Sequence, residues 1–297
     1  MFLARLARPA TRAVFGAAAF GGLVFTGHHV AAADAGVTAP PVALSKKEWR
    51  AFKLKESKYI SPNTKMLRFE LPSPMHTTGL RVASCLSVQA PCGEDGKILS
   101  RPYTPVSLNG QTGHLDLIVK EYPPPGGLVS RHINSLKPGE TLDFKGPWAK
   151  FKYTPNSHKA VAMICGGTGI TPMLQVVREI LGNPADKTQV SMIFGNVAEQ
   201  DILLRAELDA LQYLHSNFKV HYTLDKPPRG WKGSKGFVTS EMVKAHAPAP
   251  GDDVKVLVCG PTPMVNAVAG PKDKRKQGPI GGVLKDVGFT AEQVYKF

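Results

Sequence analysis

Arg101-Pro102-Tyr103-Thr104-Pro105-Val106-Ser107 offers a cation, a phenol and two hydroxyls in one short stretch. Pro102 and Pro105 fix φ and remove backbone donors, which confines the stretch to a sheet edge and presents its side chains at a rim. Arg101 suits a phosphate fork and Tyr103 a flat aromatic face, while Thr104 or Ser107 suits a ring nitrogen or a phosphate oxygen. This is chemistry for holding a cofactor; the plain alternative is an exposed turn. A second cluster, Gly126-Gly127-Leu128-Val129-Ser130-Arg131-His132-Ile133, sets paired glycines before a short helix whose first N–H groups suit a pyrophosphate. In a third, the apolar run Ala160-Val161-Ala162-Met163-Ile164-Cys165 feeds Gly166-Gly167-Thr168-Gly169-Ile170-Thr171-Pro172-Met173. Its glycines permit a tight turn and close approach of a diphosphate, and Pro172 fits a first helical turn. The pattern is neither GxGxxG nor a P-loop.

The elements that must position these clusters change character along the chain. Short alternating runs at 52–54, 64–71, 85–90, 115–120 and 141–144 read as half-buried strands between Pro, Gly and Asn turns, compatible with a small antiparallel barrel. After Tyr153-Thr154-Pro155-Asn156 the order becomes strand, glycine turn, helix. Apolar strands are expected at 160–165, 190–196, 219–225 and 254–259, with helices after the first two, the second containing Leu203, Leu204 and Leu208. The third strand ends on Asp225 and the fourth on Cys259, followed by Gly260-Pro261-Thr262-Pro263-Met264. The expected fold class is β plus α/β: an antiparallel barrel at 45–153, then a doubly wound parallel sheet at 154–297 with a crevice at the carboxyl ends of its strands.

A chain of 297 residues, 42% hydrophobic and 20% charged, excludes a disordered protein and leaves room for two domains and an appendage. The net charge is +14, of which Arg5, Arg8 and Arg12 carry three, so the body holds 14 − 3 = +11 and favours acidic partners. Its basic residues are dispersed and form no nucleic-acid module. Cys85, Cys92, Cys165 and Cys259 show no CxxC or Cys/His spacing, so neither a metal site nor a disulfide scaffold is expected. Residues 1–33 contain arginines and no acid around an Ala/Gly/Phe-rich run, the composition of a mitochondrial signal-anchor, with a secretory signal peptide or a fully removed presequence as the alternatives. Residues 31–44, with Pro40 and Pro41, read as a linker.

RPYTPVS, GGLVSRHI, CGGTGITPM and CGPTPM, in that order, resemble the NADH-cytochrome b5 reductases of the ferredoxin-NADP reductase superfamily, most closely their fungal mitochondrial form. The resemblance implies an FAD-binding barrel and an NADH-binding α/β domain. It implies that Arg101 contacts the FAD pyrophosphate, that Tyr103 packs beside the isoalloxazine, and that Thr104 sits near flavin N5. Pro102 and Ser107 belong to the same motif. Val119, Lys120 and Tyr122 match the strand beside the flavin, and Gly126, Gly127, Val129 and Ser130 its second FAD motif. Gly167, Thr168, Gly169, Thr171 and Pro172 match the nicotinamide and phosphate site, with Thr171 also close to FAD. Cys259, Gly260, Pro261 and Met264 match the motif beside the nicotinamide, Phe237 the adenine side, and Asp225 the position disfavouring NADPH. A carboxylate there accepts from a ribose 2′-hydroxyl and repels a 2′-phosphate.

The implied chemistry passes a hydride from NADH to FAD and single electrons onward to cytochrome b5 or a similar haem protein, with Thr104 and Thr171 as aligning residues and Cys259 as a reactive-looking thiol at the crevice, whose plain alternative is a small buried residue at a strand end. The implied protein is a monomer at the mitochondrial outer membrane, held by its N-terminal segment, with a processed intermembrane-space form. Two departures bear on the acceptor: the loop Tyr122-Pro123-Pro124-Pro125-Gly126 is short, and Leu128 replaces a lysine associated with docking. Lys150, Lys152 and Lys272-Asp273-Lys274-Arg275-Lys276 replace it by charge alone. A flavin reductase with a quinone or ferredoxin-like acceptor and a membrane-tethered flavoprotein without turnover are the other two readings; acceptor profiling and flavin bleaching by NADH separate the three.

Overall fold

The computed structural model describes residues 39–297, apart from Gly93 and the side chain of Asp95. The targeting or anchor segment expected at residues 1–33 lies outside them. No helix among the described residues is long and apolar enough to cross a membrane.

The first unit is a six-stranded antiparallel sheet: β1 (Arg50–Ser61), β2 (Thr64–Glu70), β3 (Ser84–Pro91), β4 (Ile98–Tyr103), β5 (His114–Lys120) and β6 (Thr141–Ala149), in the order β4-β3-β6-β1-β2-β5. Alternation along β1 sends one face inward, so that Phe52 and Leu54 are buried while Lys53 and Lys55 are exposed. The inward rings meet: Phe144 stacks on Phe52 at 5.3 Å and takes the edge of Phe69 at 5.0 Å. The stretch after β4 joins the two sheet edges. Val106 N–H donates to the Asp116 carbonyl at 3.0 Å, and the Asp116 N–H donates to Ser107 Oγ at 2.6 Å. Arg68 clamps the Asp116 carboxylate with two hydrogen bonds of 2.8 Å. Between β5 and β6, the helix α1 (Leu128–Ser135) buries Val129 and Ile133 against this core.

Residues 39–44 are not a linker. Pro41 O accepts from Thr77 N–H at 2.9 Å, Ala43 N–H donates to Thr77 O at 2.8 Å, and Ala43 and Leu44 are buried in the sheet's core. The apolar pair after two prolines fastens the segment as a strap.

The second unit is a parallel six-stranded sheet. Its elements are β7 (Ala160–Gly166), α2 (Ile170–Gly182), β8 (Gln189–Asn196), α3 (Arg205–Leu214), β9 (Phe218–Leu224), β10 (Ser234–Lys235), α4 (Ser240–His246), β11 (Val254–Cys259), α5 (Thr262–Ala269), α6 (Gly282–Val287) and β12 (Val294–Lys296). The order β10-β9-β8-β7-β11-β12 runs outward in both directions from β7, so the chain reverses its winding between β7 and β11. A crevice opens at such a switch point. Every residue of β7 is buried, as the continuous apolar run requires. The expected second helix starts later than its leucines: Leu204 sits at its N-cap with φ 57°, and Leu203 lies before it, buried.

Helix α2 binds the two units. Gln175 donates to Pro105 O at 2.8 Å, accepts from Ser84 N–H at 3.0 Å and donates to Ser84 O at 3.3 Å, while Arg178 donates to Val106 O. The edge segment 101–107 is thereby seated on the helix that leaves the glycine turn.

Candidate functional site

The flavin-type half is built from β4, β5 and the start of α1. Arg101 and Pro102 are exposed on β4 and Tyr103 is half-buried. Burial, with the nearby Tyr122 phenol adding to it, raises the Tyr103 pKa and keeps it a neutral ring. Thr104 is half-buried, and no described residue takes its hydroxyl. Gly127, at φ 65°, heads α1 where a Cβ would come within 2.7 Å of Tyr122 Cβ and 2.8 Å of Tyr122 O. Only glycine lets the Tyr122 loop lie against this helix start. Ser130 Oγ donates to Gly127 O at 3.0 Å, which fixes the turn. Burial raises the Cys92 thiol, and the charges of both Arg101 and Arg131 act on it in the opposite sense. Arg131 Nε is buried without a partner among the described residues. Arg131 thus stands in the first turn of α1, whose first amides lack helical acceptors, and its charge and that of Arg101 act on the same thiol. These residues fit the diphosphate and aromatic ring of an FAD.

Three of the expected residues serve the scaffold instead of facing a ligand with their side chains. Ser107 is 6% exposed and its hydroxyl is committed to β5. Val119 and Val129 point into the core. Gly126 is exposed, and a Cβ there would meet nothing nearer than 3.8 Å, so nothing in the packing demands glycine.

The nucleotide-type half is a crevice of about 330 Å³ at the carboxyl ends of β7, β8, β9 and β11. Gly166, Gly167, Asp225, Phe237, Pro261 and Met264 line it. Gly167, at φ 52°, would point a Cβ into open space. Gly169 is different: a Cβ would fall 2.2 Å from Cys259 O and 2.9 Å from the Gly260 Cα. Glycine there lets the turn press against the end of β11. Thr171 Oγ1 donates to Thr168 O at 3.0 Å, bracing the same turn, and Pro172 is buried in the first turn of α2. Asp225 N–H donates to Asn196 O at 3.0 Å, which hangs the carboxylate at the crevice rim. Burial raises its pKa, with Lys226 opposing. Phe237 is 80% exposed, a bare ring beside the same rim.

Burial pushes the Cys259 thiol up to about 12, so at neutral pH it is an uncharged thiol at the strand end rather than the reactive group its position suggests.

The same crevice is lined from the first unit by Lys120 on β5 and by Ser61, Asn63 and Thr64 at the β1–β2 turn. A nucleotide in the crevice thus lies against the strand that carries the flavin-type residues. Lys120 was legible as a flavin neighbour; the turn residues carry no signal in their spacing.

Comparison with known proteins agrees with both halves. The Oxidoreductase FAD-binding domain family matches residues 51–153 and the Oxidoreductase NAD-binding domain family matches residues 163–270. The NADH-cytochrome b5 reductase-like protein of Arabidopsis thaliana is 45% identical over 265 residues, 88% of this chain and 80% of that one. The NADH-cytochrome b5 reductase 2 of Yarrowia lipolytica is 47% identical over 253 residues, 84% of this chain and 86% of that one.

The chain belongs to the NADH-cytochrome b5 reductase family.

Among solved structures, the cytochrome b5 reductase domain of Ulva prolifera nitrate reductase superposes with a TM-score of 0.75 at 33% identity, covering 86% of this chain and 99% of that one. This NADH-cytochrome b5 reductase family member is an oxidoreductase of FAD and NADH, with an antiparallel flavin unit followed by a parallel nucleotide unit. Arg131, within GGLVSRHI, was assigned no role by motif reading; in the fold its charge and that of Arg101 both act on Cys92.

Proposed function

We propose that this reductase takes electrons from NADH, holds them on FAD and delivers them to a cytochrome b5-type haem protein. The observation that carries the reading is the shared crevice, in which Lys120 and Thr64 of the flavin unit face Gly166, Asp225 and Met264 of the nucleotide unit. Bound on β4, β5 and α1 beside this crevice, FAD would supply hydride acceptance from NADH and one-electron delivery to a haem. The chain's own residues align and select. Arg101, Arg131 and the α1 amides neutralise a diphosphate; Tyr103 and Tyr122 flank an aromatic system. Thr104 offers a free hydroxyl at the flavin edge. Thr171 and Gly169 hold the turn that fixes the nicotinamide, and the neutral Cys259 packs beside it without taking a proton. Asp225 accepts from a ribose 2′-hydroxyl and repels a 2′-phosphate. Phe237 supplies a face for adenine.

The relatives' names support the haem acceptor, and so does charge at the seam. Burial lowers the Lys272 pKa and the Lys150 charge of the other unit lowers it further, so cations of both units act on the same seam beside Cys259. Leu128, 40% exposed, favours a second reading with a less acidic acceptor such as a quinone. Steady-state turnover with cytochrome b5, a ferredoxin and a soluble quinone tests this: preference for cytochrome b5 that weakens with salt supports the first reading, and salt-independent preference for the quinone supports the second.

The acid-free, arginine-bearing N-terminal stretch supports anchoring at the mitochondrial outer membrane, with a processed soluble form. A crevice completed within one chain supports a monomer. Carbonate extraction of mitochondria and sedimentation of the purified protein test these two points.

A further inference from the structure

A second cavity, of about 310 Å³, opens in the flavin unit between Leu44 and Lys46 of the strap, Gly79 and Arg81, Ser84 at the start of β3, and the end of β6. It shares no residue with the nucleotide crevice. Lys46 and Arg81 border it, and no Asp or Glu does. Both are exposed and without an ion pair among the described residues. Their neighbours behave differently: Arg50 pairs with Glu48, and Arg68 with Asp116 and Glu56. Besides Arg81, the arginines of this unit that lack a carboxylate are Arg101 and Arg131, the two assigned to the diphosphate.

Ser84 closes the floor: it is 1% exposed, and its N–H and carbonyl are both taken by Gln175, which ties this wall to α2. Val42 braces the wall, lying so close to Gly79 that a Cβ there would fall 2.6 Å from Val42 Cγ1. Leu44, Pro147 and Ala149 make the remaining wall apolar. Two uncompensated cations and an apolar wall suit a compact dianion or monoanion with carbon attached.

We infer that this cavity binds a phosphate group, with Arg81 as its fork and Lys46 as a second charge. Inorganic phosphate, a small phosphate ester and a phospholipid headgroup share this chemistry. Neither side chain belongs to the cofactor site, so NADH-driven flavin bleaching should be the same with and without them and reports that variants are folded.

The test uses the full-length holoenzyme and a Lys46→Gln/Arg81→Gln variant. Melting temperature is followed against inorganic phosphate, with chloride holding ionic strength constant. In parallel, co-sedimentation is measured with phosphatidylcholine vesicles with and without phosphatidic acid. A saturable rise in melting temperature, at least about tenfold weaker in apparent affinity for the variant, establishes the site for the free ion. Extra sedimentation with phosphatidic acid that the variant loses establishes it for the headgroup. Phosphate and vesicle responses that the two substitutions leave unchanged overturn the inference, because they place any binding elsewhere.

Discussion

Gly169 and Cys259 meet backbone to backbone at the switch point of the parallel sheet, where a Cβ on Gly169 would lie 2.2 Å from the Cys259 carbonyl oxygen. The obstacle is main chain on both sides, so no rotamer relieves it. Gly169→Ala should therefore push the turn away from β11. The expected result is a loss of about 1–3 kcal/mol of stability and a larger fall in NADH-driven flavin reduction, with flavin content nearly unchanged. Thermal unfolding and stopped-flow bleaching measure the two effects separately; wild-type values for both would contradict the contact's role.

Cys259 should be inert as a nucleophile. With its thiol held at about 12 by burial, only ~0.01% is thiolate at pH 8. Iodoacetamide followed by peptide mass mapping should leave Cys259 unmodified in the folded protein and label it after denaturation. Labelling at the rate of an exposed cysteine would restore the reactive reading.

Much of the scaffold around this site is legible in the sequence. The uninterrupted apolar run ending at Cys165 announces a strand buried on both faces, and the two prolines of 101–107 announce an edge. What stayed hidden was set by distant contacts. Arg131 acquires meaning only when the fold sets its charge and that of Arg101 on the same thiol. Thr64 joins a nucleotide crevice because β2 pairs with β5, and no local pattern encodes that. Strand β10 is Ser234-Lys235, two polar residues that form a strand because they pair with Thr223 and Leu224 of β9. The strap at 39–44 reads as linker through its prolines, yet Ala43 and Leu44 find the core. Ser107 matches a ligand-type hydroxyl in its motif, and the nearer Asp116 N–H claims it.

Acid should act through Asp186. Its carboxylate is 4% exposed. Burial alone would raise its pKa, but Tyr153 and Thr188 hydroxyls at 2.6 and 2.7 Å, and N–H groups of Thr188 and Asn156, hold it below the usual value. A depressed folded pKa contributes stability that is present above the unfolded value of about 3.9 and is lost as pH falls through the folded one. Asp186→Asn should cost about 1–3 kcal/mol at neutral pH, with the gap to wild type narrowing below about pH 4. Urea unfolding across pH reads it; a gap unchanged by acid contradicts the assignment.

Charge at the seam should govern the acceptor. Lys150→Glu is expected to raise KM for an acidic cytochrome b5 about tenfold, mainly through slower association, and to flatten the salt dependence. Turnover with ferricyanide, which needs no protein docking, should stay within about twofold. Equal losses with both acceptors would move the effect to the reductive half of the cycle.

The most direct measurement is anaerobic stopped-flow of the flavin absorbance after mixing with NADH or NADPH, in wild type and Asp225→Ser. Rapid bleaching of the wild type by NADH and slow bleaching by NADPH is the predicted result, with the preference reduced about tenfold or more in the variant. No bound flavin, or equal rates with both nucleotides in the wild type, would contradict the assignment of the shared crevice to NADH beside FAD.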